Sequence, residues 1–223
     1  MRISILTISP EQFPGLYQDH VIDRAIRSGV LRLDIVDIRS FADGCFRKVD
    51  DSPYGGGAGM ILRIEPVMKA VSHARTLSAS SHVAVLSPVG ERYDQEMARQ
   101  LSDQEHLILI CGHYEGLDAR IYDHADQIIS MGDYILSGGE IAAMAIADSI
   151  ARLLPGVIKE SSLQEESFLN GLLEYPQYTR PADYRGQKVP DILLSGNHEA
   201  IRAWRRARGE EWTGKRRPDL KKQ

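Results

Sequence analysis

Short apolar runs rich in β-branched residues alternate with helical stretches from residue 2 to residue 154, and no other feature restricts the fold as much. Arg2–Ile8, Leu31–Ile38, His82–Leu86, His106–Cys111 and Gln127–Ser130 read as strands. Pro10–Arg27, Glu65–Thr76, Tyr93–Leu101, Leu117–His124 and Glu140–Leu154 read as helices. Pro10 opens the first of these and Gly29 closes it, while Pro155-Gly156 stops the last. Strands alternating with helices predict an α/β fold, with a mostly parallel sheet covered on both faces.

Two glycine-punctuated loops follow strands. They are Cys-Gly-His-Tyr-Glu-Gly at Cys111–Gly116 and Met-Gly-Asp-Tyr-Ile-Leu-Ser-Gly-Gly-Glu at Met131–Glu140. Glycine permits φ > 0 and close approach of backbone to a ligand. In parallel sheets ligands sit beyond the carboxyl ends of the strands. Ser87-Pro88 is also at a strand end, so three segments can converge on one pocket lined by main-chain groups. No Gly-x-Gly-x-x-Gly follows the first strand, which disfavours a Rossmann dinucleotide site. The Asp43–Gly59 loop holds five glycines, and its Asp50–Met60 part resembles a phosphate cradle but lacks the lysine that would meet the phosphates. It reads either as a lid over substrate or as a long surface loop.

At 223 residues, 43% apolar and 26% charged, the chain is globular, with room for one large domain or a domain plus an appendage. Cys45 and Cys111 are far apart, and no Cys/His spacing matches a zinc site; this fits a reducing cytoplasm. Met1–Pro10 does not read as a signal peptide, and Ile141–Ile158 is too polar to span a bilayer, so no membrane partner is expected. Charge is uneven. Residues 202–223 contain nine Lys/Arg and three acids, against a net charge of −4 for the whole chain. A basic end on an acidic body fits contact with a polyanion, although a basic tail taken alone reads first as a solvated charged helix and tail.

The chain changes character after Pro155: residues 156–170 read as a polar linker, no convincing strand follows Gly171, and Asn197–Arg208 reads as a helix. Ala142, Ala143, Ala145, Ala147 and Ala151 give the Glu140–Leu154 helix a small-residue face, suited to intrachain packing or to a subunit interface. Taken singly, Arg152 reads as a helix-terminal cation and Glu165-Glu166 as solvated surface. The seven histidines form no ligand set; His113 alone lies in a pocket loop, and core or surface roles account for all of them.

Tyr54–Met60, Leu86-Ser87-Pro88, Cys111–Asp118, Ile129–Glu140 and Pro155-Gly156-Val157, then Ser167-Phe168, Gly171-Leu172-Leu173, Tyr178–Pro181 and His198–Arg205, form an ordered set. In order and spacing the set resembles the bacterial tRNA (guanine-N1)-methyltransferase family nearly end to end. The resemblance implies a SPOUT α/β domain at 1–156 with a deep trefoil knot near its C-terminal end. It implies a linker at 157–172 and a small helical tRNA-binding domain at 173–223. A homodimer is implied, with S-adenosyl-L-methionine bound in the knot, tRNA as substrate, and activity linked to Mg2+, for which no ligand cluster is evident.

By the same resemblance the methyl-donor site takes Leu86, Ser87 and Pro88 from the first segment and Gly112, Tyr114 and Gly116 from the second. Ser130, Met131, Gly132, Asp133 and Tyr134 follow from the third, with Ile135, Leu136, Gly138 and Gly139. The target is the guanine just 3′ of the anticodon. Guanine N1 carries a proton at neutral pH, so a carboxylate must remove it. The charge that then develops on the base oxygen calls for a cation. Arg152 matches the family's catalytic Arg, and Glu166 stands where the family usually has Asp, leaving Glu165 as an alternative acid. Glu115 is expected to contact the guanine. Two competing readings are a knotted methyltransferase acting on ribosomal RNA and a non-catalytic RNA-binding protein.

Overall fold

A computed structural model describes residues 1–159, 166–168 and 171–222. The chain forms two compact units, Met1–Ile158 and Lys159–Gln223.

The first unit runs β1 (Arg2–Thr7), α1 (His20–Arg27), β2 (Arg32–Asp37), β3 (Asp50–Asp51), β4 (Ile61–Leu62), α2 (Ile64–Arg75), β5 (His82–Arg92), α3 (Gln95–Ser102), β6 (His106–Cys111), β7 (Gln127–Ser130) and α4 (Glu140–Leu153). Five strands make one sheet in the order β2-β1-β6-β5-β7, every pair parallel, as the alternation predicts. All six residues of β6 are buried. A central parallel strand is covered on both faces, so it reads as a continuous apolar run. Ile3, Ile5, Leu107 and Leu109 pack with α1, α3 and α4 on one face of the sheet; Leu6, Ile108 and Ile110 pack with α2 on the other.

Three elements depart from expectation. The Pro10–Arg27 helix is broken into 3-10 turns at Pro10–Gln12 and Leu16–Gln18 before α1 begins. Pro14 has no N–H and would clash with the preceding turn, which prevents a continuous helix. Asp19 then caps α1, its carboxylate accepting from Val21 and Ile22 N–H at 2.8 and 3.1 Å. Leu117–His124 is likewise a 3-10 turn, Ala119–His124, rather than an α-helix. Ser87-Pro88 does not end its strand: β5 bulges out after Leu86 and returns to pair Glu91 with Ile129 and Arg92 with Ser130. Proline is tolerated at such an unpaired bulge. Where the strand returns, a Cβ on Gly90 would lie 2.5 Å from the backbone of Ile128 and Ile129, so only glycine fits.

The alanine face of α4 is mostly turned inward. Ala142, Ala143, Ala147 and Ala151 are buried in the unit's own core, while Ala145 and Ile141 face out.

The second unit contains a hairpin, β8 (Asp183–Tyr184) and β9 (Gln187–Lys188), then α5 (Asp191–Leu194) and α6 (His198–Arg216). The hairpin corrects the expectation of no strands. Its turn residues, Arg185 and Gly186, both have positive φ, 54° and 86°, which is the two-residue hairpin geometry. α6 runs two turns beyond Arg208. Gly209 does not end it, because that glycine lies against the Leu173 carbonyl, 3.0 Å from where a Cβ would sit.

Candidate active site

The bulge of β5 and the carboxyl ends of β6 and β7 open into a cavity of 310 Å³. Its walls come from the segment after Leu86, from Gly112–Leu117 and from Ile129–Gly139, with Tyr122 and Ala142 closing it. The loops are tied to each other through the backbone. Gly139 N–H donates to the Gly112 carbonyl at 2.8 Å, and His113 bridges to Gly138 in antiparallel fashion. A Cβ on Gly139 would sit 2.7 Å from Cys111 Cα, so the closing strand end and the start of α4 touch backbone to backbone. Ser130 anchors its own turn: its hydroxyl accepts from Gly132 N–H at 3.2 Å.

Of the residues the sequence places in the methyl-donor site, Leu86, Ser87, Pro88, Gly112, Tyr114, Gly116, Ser130, Met131, Gly132, Tyr134, Ile135, Leu136, Gly138 and Gly139 all line this cavity. Asp133, in the same loop, is exposed and stands outside the lining. Glu115 is at the rim. Its N–H donates to the Met60 carbonyl at 3.0 Å, and Leu62 N–H donates to the Gly116 carbonyl at 3.0 Å. The end of the glycine-rich loop is thus fastened to the cavity loop, not stranded on a remote surface. Tyr54 and Phe46 project from it almost fully exposed.

His113 and Glu140 were not anticipated as a pair. Glu140, the first residue of α4, is 2% exposed, accepts from the Thr7 hydroxyl at 2.8 Å and lies 3.6 Å from His113 Nδ1. The only sequence signal was a glutamate directly after Gly138-Gly139, where the helix N-terminus favours negative charge. Burial, with the neighbouring Glu140 carboxylate adding to it, holds the Cys111 thiol well above its ordinary range, so this cysteine is an inert core residue.

Arg152 is not at the cavity. It occupies the last turn of α4, twelve residues beyond Glu140, or about 18 Å along the axis at 1.5 Å per residue. There it faces Asp148, whose carboxyl is raised by burial and by Asp19, and lowered in part by Arg152. Glu166 belongs to the second unit; Glu165 lies outside the described residues. Beside Glu166, Ser167 Oγ accepts from Glu174 N–H at 3.0 Å and Phe168 N–H donates to the Leu172 carbonyl at 2.7 Å.

The basic helix carries guanidinium–aromatic contacts. Arg205 lies over Tyr175 (4.7 Å), Arg216 over Trp212 (4.5 Å) and Arg217 over Phe168 (5.8 Å). Tyr175, Tyr178, Arg180 and Arg205 help line a second hollow of 420 Å³ within this unit. Among the described residues no three His, Cys, Asp or Glu side chains converge as a metal site, and no helix is long and apolar enough to cross a membrane.

The tRNA (Guanine-1)-methyltransferase TrmD family model matches residues 1–223. The tRNA (guanine-N(1)-)-methyltransferase of Geobacillus kaustophilus (strain HTA426) is 52% identical over 222 residues, covering 99% of this chain and 91% of that protein. The protein of the same name from Clostridium beijerinckii (strain ATCC 51743 / NCIMB 8052) is 51% identical over 223 residues, covering 100% and 92%. That from Bacillus velezensis (strain DSM 23117 / BGSC 10A6 / LMG 26770 / FZB42) is 50% identical over 225 residues, covering 100% and 93%. With a full-length match and a cavity built from the loops that carry the motif set, the chain belongs to the tRNA (Guanine-1)-methyltransferase TrmD family.

Proposed function

We propose that this protein transfers a methyl group from S-adenosyl-L-methionine to N1 of the guanine just 3′ of the anticodon of tRNA, in the cytoplasm. The observation that carries the reading is the cavity formed by the β5 bulge and two strand-end loops, in a chain whose relatives are named for this reaction.

The cavity suits the methyl donor. Leu86, Pro88, Ile129 and Leu136 offer apolar walls for an adenine ring, and the glycine-rich backbone offers N–H and C=O groups for its polar edges. When bound, the donor supplies a sulfonium methyl already activated for transfer. The protein's task is then to remove a proton and hold the geometry. Glu166 takes the proton from guanine N1 as general base. Arg152 stabilises the charge that moves to the base oxygen. Glu115, at the cavity rim, orients the base. No step is assigned to magnesium, because the described residues offer no converging ligands.

Two further parts of the reading have support. A trefoil knot is supported by the backbone contacts at Gly90 and Gly139, where chain segments pass closer than any side chain permits. A homodimer is supported by the distance of Arg152 from its own cavity, and by Val89, Ile135 and Ile141, which are 74%, 80% and 60% exposed around the bulge and the start of α4. Exposed apolar side chains in such a group mark an interaction surface. tRNA binding by the C-terminal unit is supported by its positive charge and its stacked Arg–aromatic pairs.

The test is transfer of labelled methyl to tRNA transcripts with or without guanine 3′ of the anticodon. Labelling only of the guanine-bearing transcript is expected. Binding without transfer to either would replace this reading with a non-catalytic RNA-binding role.

A further inference from the structure

His113 is the one side chain among the described residues lining the cavity that can carry positive charge. Its Nδ1 edge is turned inward. Nδ1 is buried without a hydrogen-bond partner, 3.6 Å from Glu140 Oε2. The other oxygen of Glu140 is held by the Thr7 hydroxyl at 2.8 Å, at the end of β1, the strand beside the central β6. The pair packs directly against Gly138, in the space where a Cβ at that position would meet both Glu140 Oε2 and His113 Nδ1.

The chemistry of this arrangement is directional. An ionised carboxylate only accepts hydrogen bonds, so the ring nitrogen facing it is the one that keeps its proton. A buried carboxylate also needs a countercharge. The N-terminus of α4 supplies part of it. His113 is the cation-capable side chain that an ion-pair contact joins to Glu140. An imidazolium carries an N–H on each edge, here one facing Glu140 and the other facing the cavity.

We propose that Thr7, Glu140 and His113 form a fixed chain that presents His113 Nε2 to the cavity as a donor to an anionic oxygen of the bound reactants. Thr7 and Glu140 are positioning residues; His113 makes the contact. The proposal rests on the methyl-transfer reading of the cavity. Two anionic oxygens enter such a site: the amino-acid carboxylate of the methyl donor, and the guanine oxygen once N1 has lost its proton.

The experiment separates them. S-adenosylhomocysteine and 5′-methylthioadenosine, which lacks the carboxylate, are titrated calorimetrically into the wild-type full chain, H113F, E140Q and the double variant H113F/E140Q. Single-turnover methyl transfer at saturating donor is measured alongside. If the donor's carboxylate is the partner, H113F loses about tenfold or more in S-adenosylhomocysteine affinity and none in methylthioadenosine affinity. If the guanine oxygen is the partner, both affinities hold and the single-turnover rate falls about tenfold or more with unchanged tRNA affinity. E140Q shifts the same readout in the same direction. The double variant removes the stranded carboxylate and keeps the test readable if H113F does not fold. Unchanged affinities and rate in H113F or the double variant overturn the proposal, and a wild-type E140Q overturns the positioning role. Absence of turnover in the wild type would sink the methyl-transfer reading, while the titrations still judge His113.

Discussion

The Thr213 hydroxyl, fully buried, accepts the backbone N–H of Leu173 at 2.9 Å and donates to the Gly209 carbonyl at 2.7 Å. This one side chain fastens the segment that follows Glu166 onto α6. Thr213→Val should leave the Leu173 N–H buried and unpaired, at a cost of about 1–3 kcal/mol. Thr213→Ser should cost less, since it keeps the hydroxyl. Both tryptophans of the chain, Trp204 and Trp212, lie on α6, so their fluorescence in urea reports this unit directly. Equal midpoints for Val and wild type would show that the bond carries no stability.

Glu166→Gln keeps the shape of the side chain and removes its basicity. Turnover should fall by about 10²–10⁴, while S-adenosylhomocysteine affinity stays near the wild-type value. The Ser167 and Phe168 anchors next to it do not depend on its charge. A variant that still turns over at the wild-type rate removes Glu166 as the base.

Gly90→Ala puts a methyl group 2.5 Å from the Ile128–Ile129 backbone, which cannot move aside as a flexible side chain would. Either β5 or β7 must shift, and both line the cavity. Overpacking of this kind costs about 1–3 kcal/mol. Thermal melting and donor binding should both weaken; a variant with normal values for both would show that the two strands can separate freely.

Cutting the chain after Arg208 would test the basic end poorly, because it also removes Thr213. Replacing the exposed Arg202 and Arg206 with Gln leaves that anchor in place. If these side chains meet phosphates, tRNA affinity should drop and the slope of log K against log salt should flatten by about one unit per lost contact. An unchanged slope would return them to the role of solvated surface.

His106 is buried, with Nε2 at 2.9 Å from the Ser4 hydroxyl. Burial, then the positive charge of Arg2, hold it below the ordinary imidazole value of 6.5, against the opposing pull of Asp34 and Glu105. The folded chain therefore resists a proton that the unfolded chain accepts. Its contribution is complete above pH 6.5 and is lost as the pH falls below that value. The urea midpoint of His106→Gln should decline less steeply on acidification below pH 6.5 than that of the wild type; parallel curves would discount the histidine.

Much of the first unit was legible in the sequence because its signals are local. β6 reads as a strand from its apolar residues alone, and Gly138-Gly139 marks a turn whatever surrounds it. Where the reading failed, a local signal was overruled or was absent. Ser87-Pro88 looks like a strand end, yet β5 pairs with β7 again beyond the bulge. Arg185-Gly186 makes a hairpin turn that carries neither Asn-Gly nor Asp-Gly. Gly209 would end many helices, but here it is the contact point for Leu173.

The sequence by itself determined the α/β class and the three segments that line the cavity, because periodicity and glycine act over a few neighbours, while the resemblance to a known family singled out the individual lining residues. Only the tertiary structure decided which distant groups meet. Thr7, His113 and Glu140 are brought together by strand order, since β1 and β6 are neighbours in the sheet and α4 starts where their ends meet. The length of α4 carries Arg152 away from that same point. Neither relationship is written in a spacing along the chain; each follows from how the sheet stacks its strands and how far a helix advances per residue.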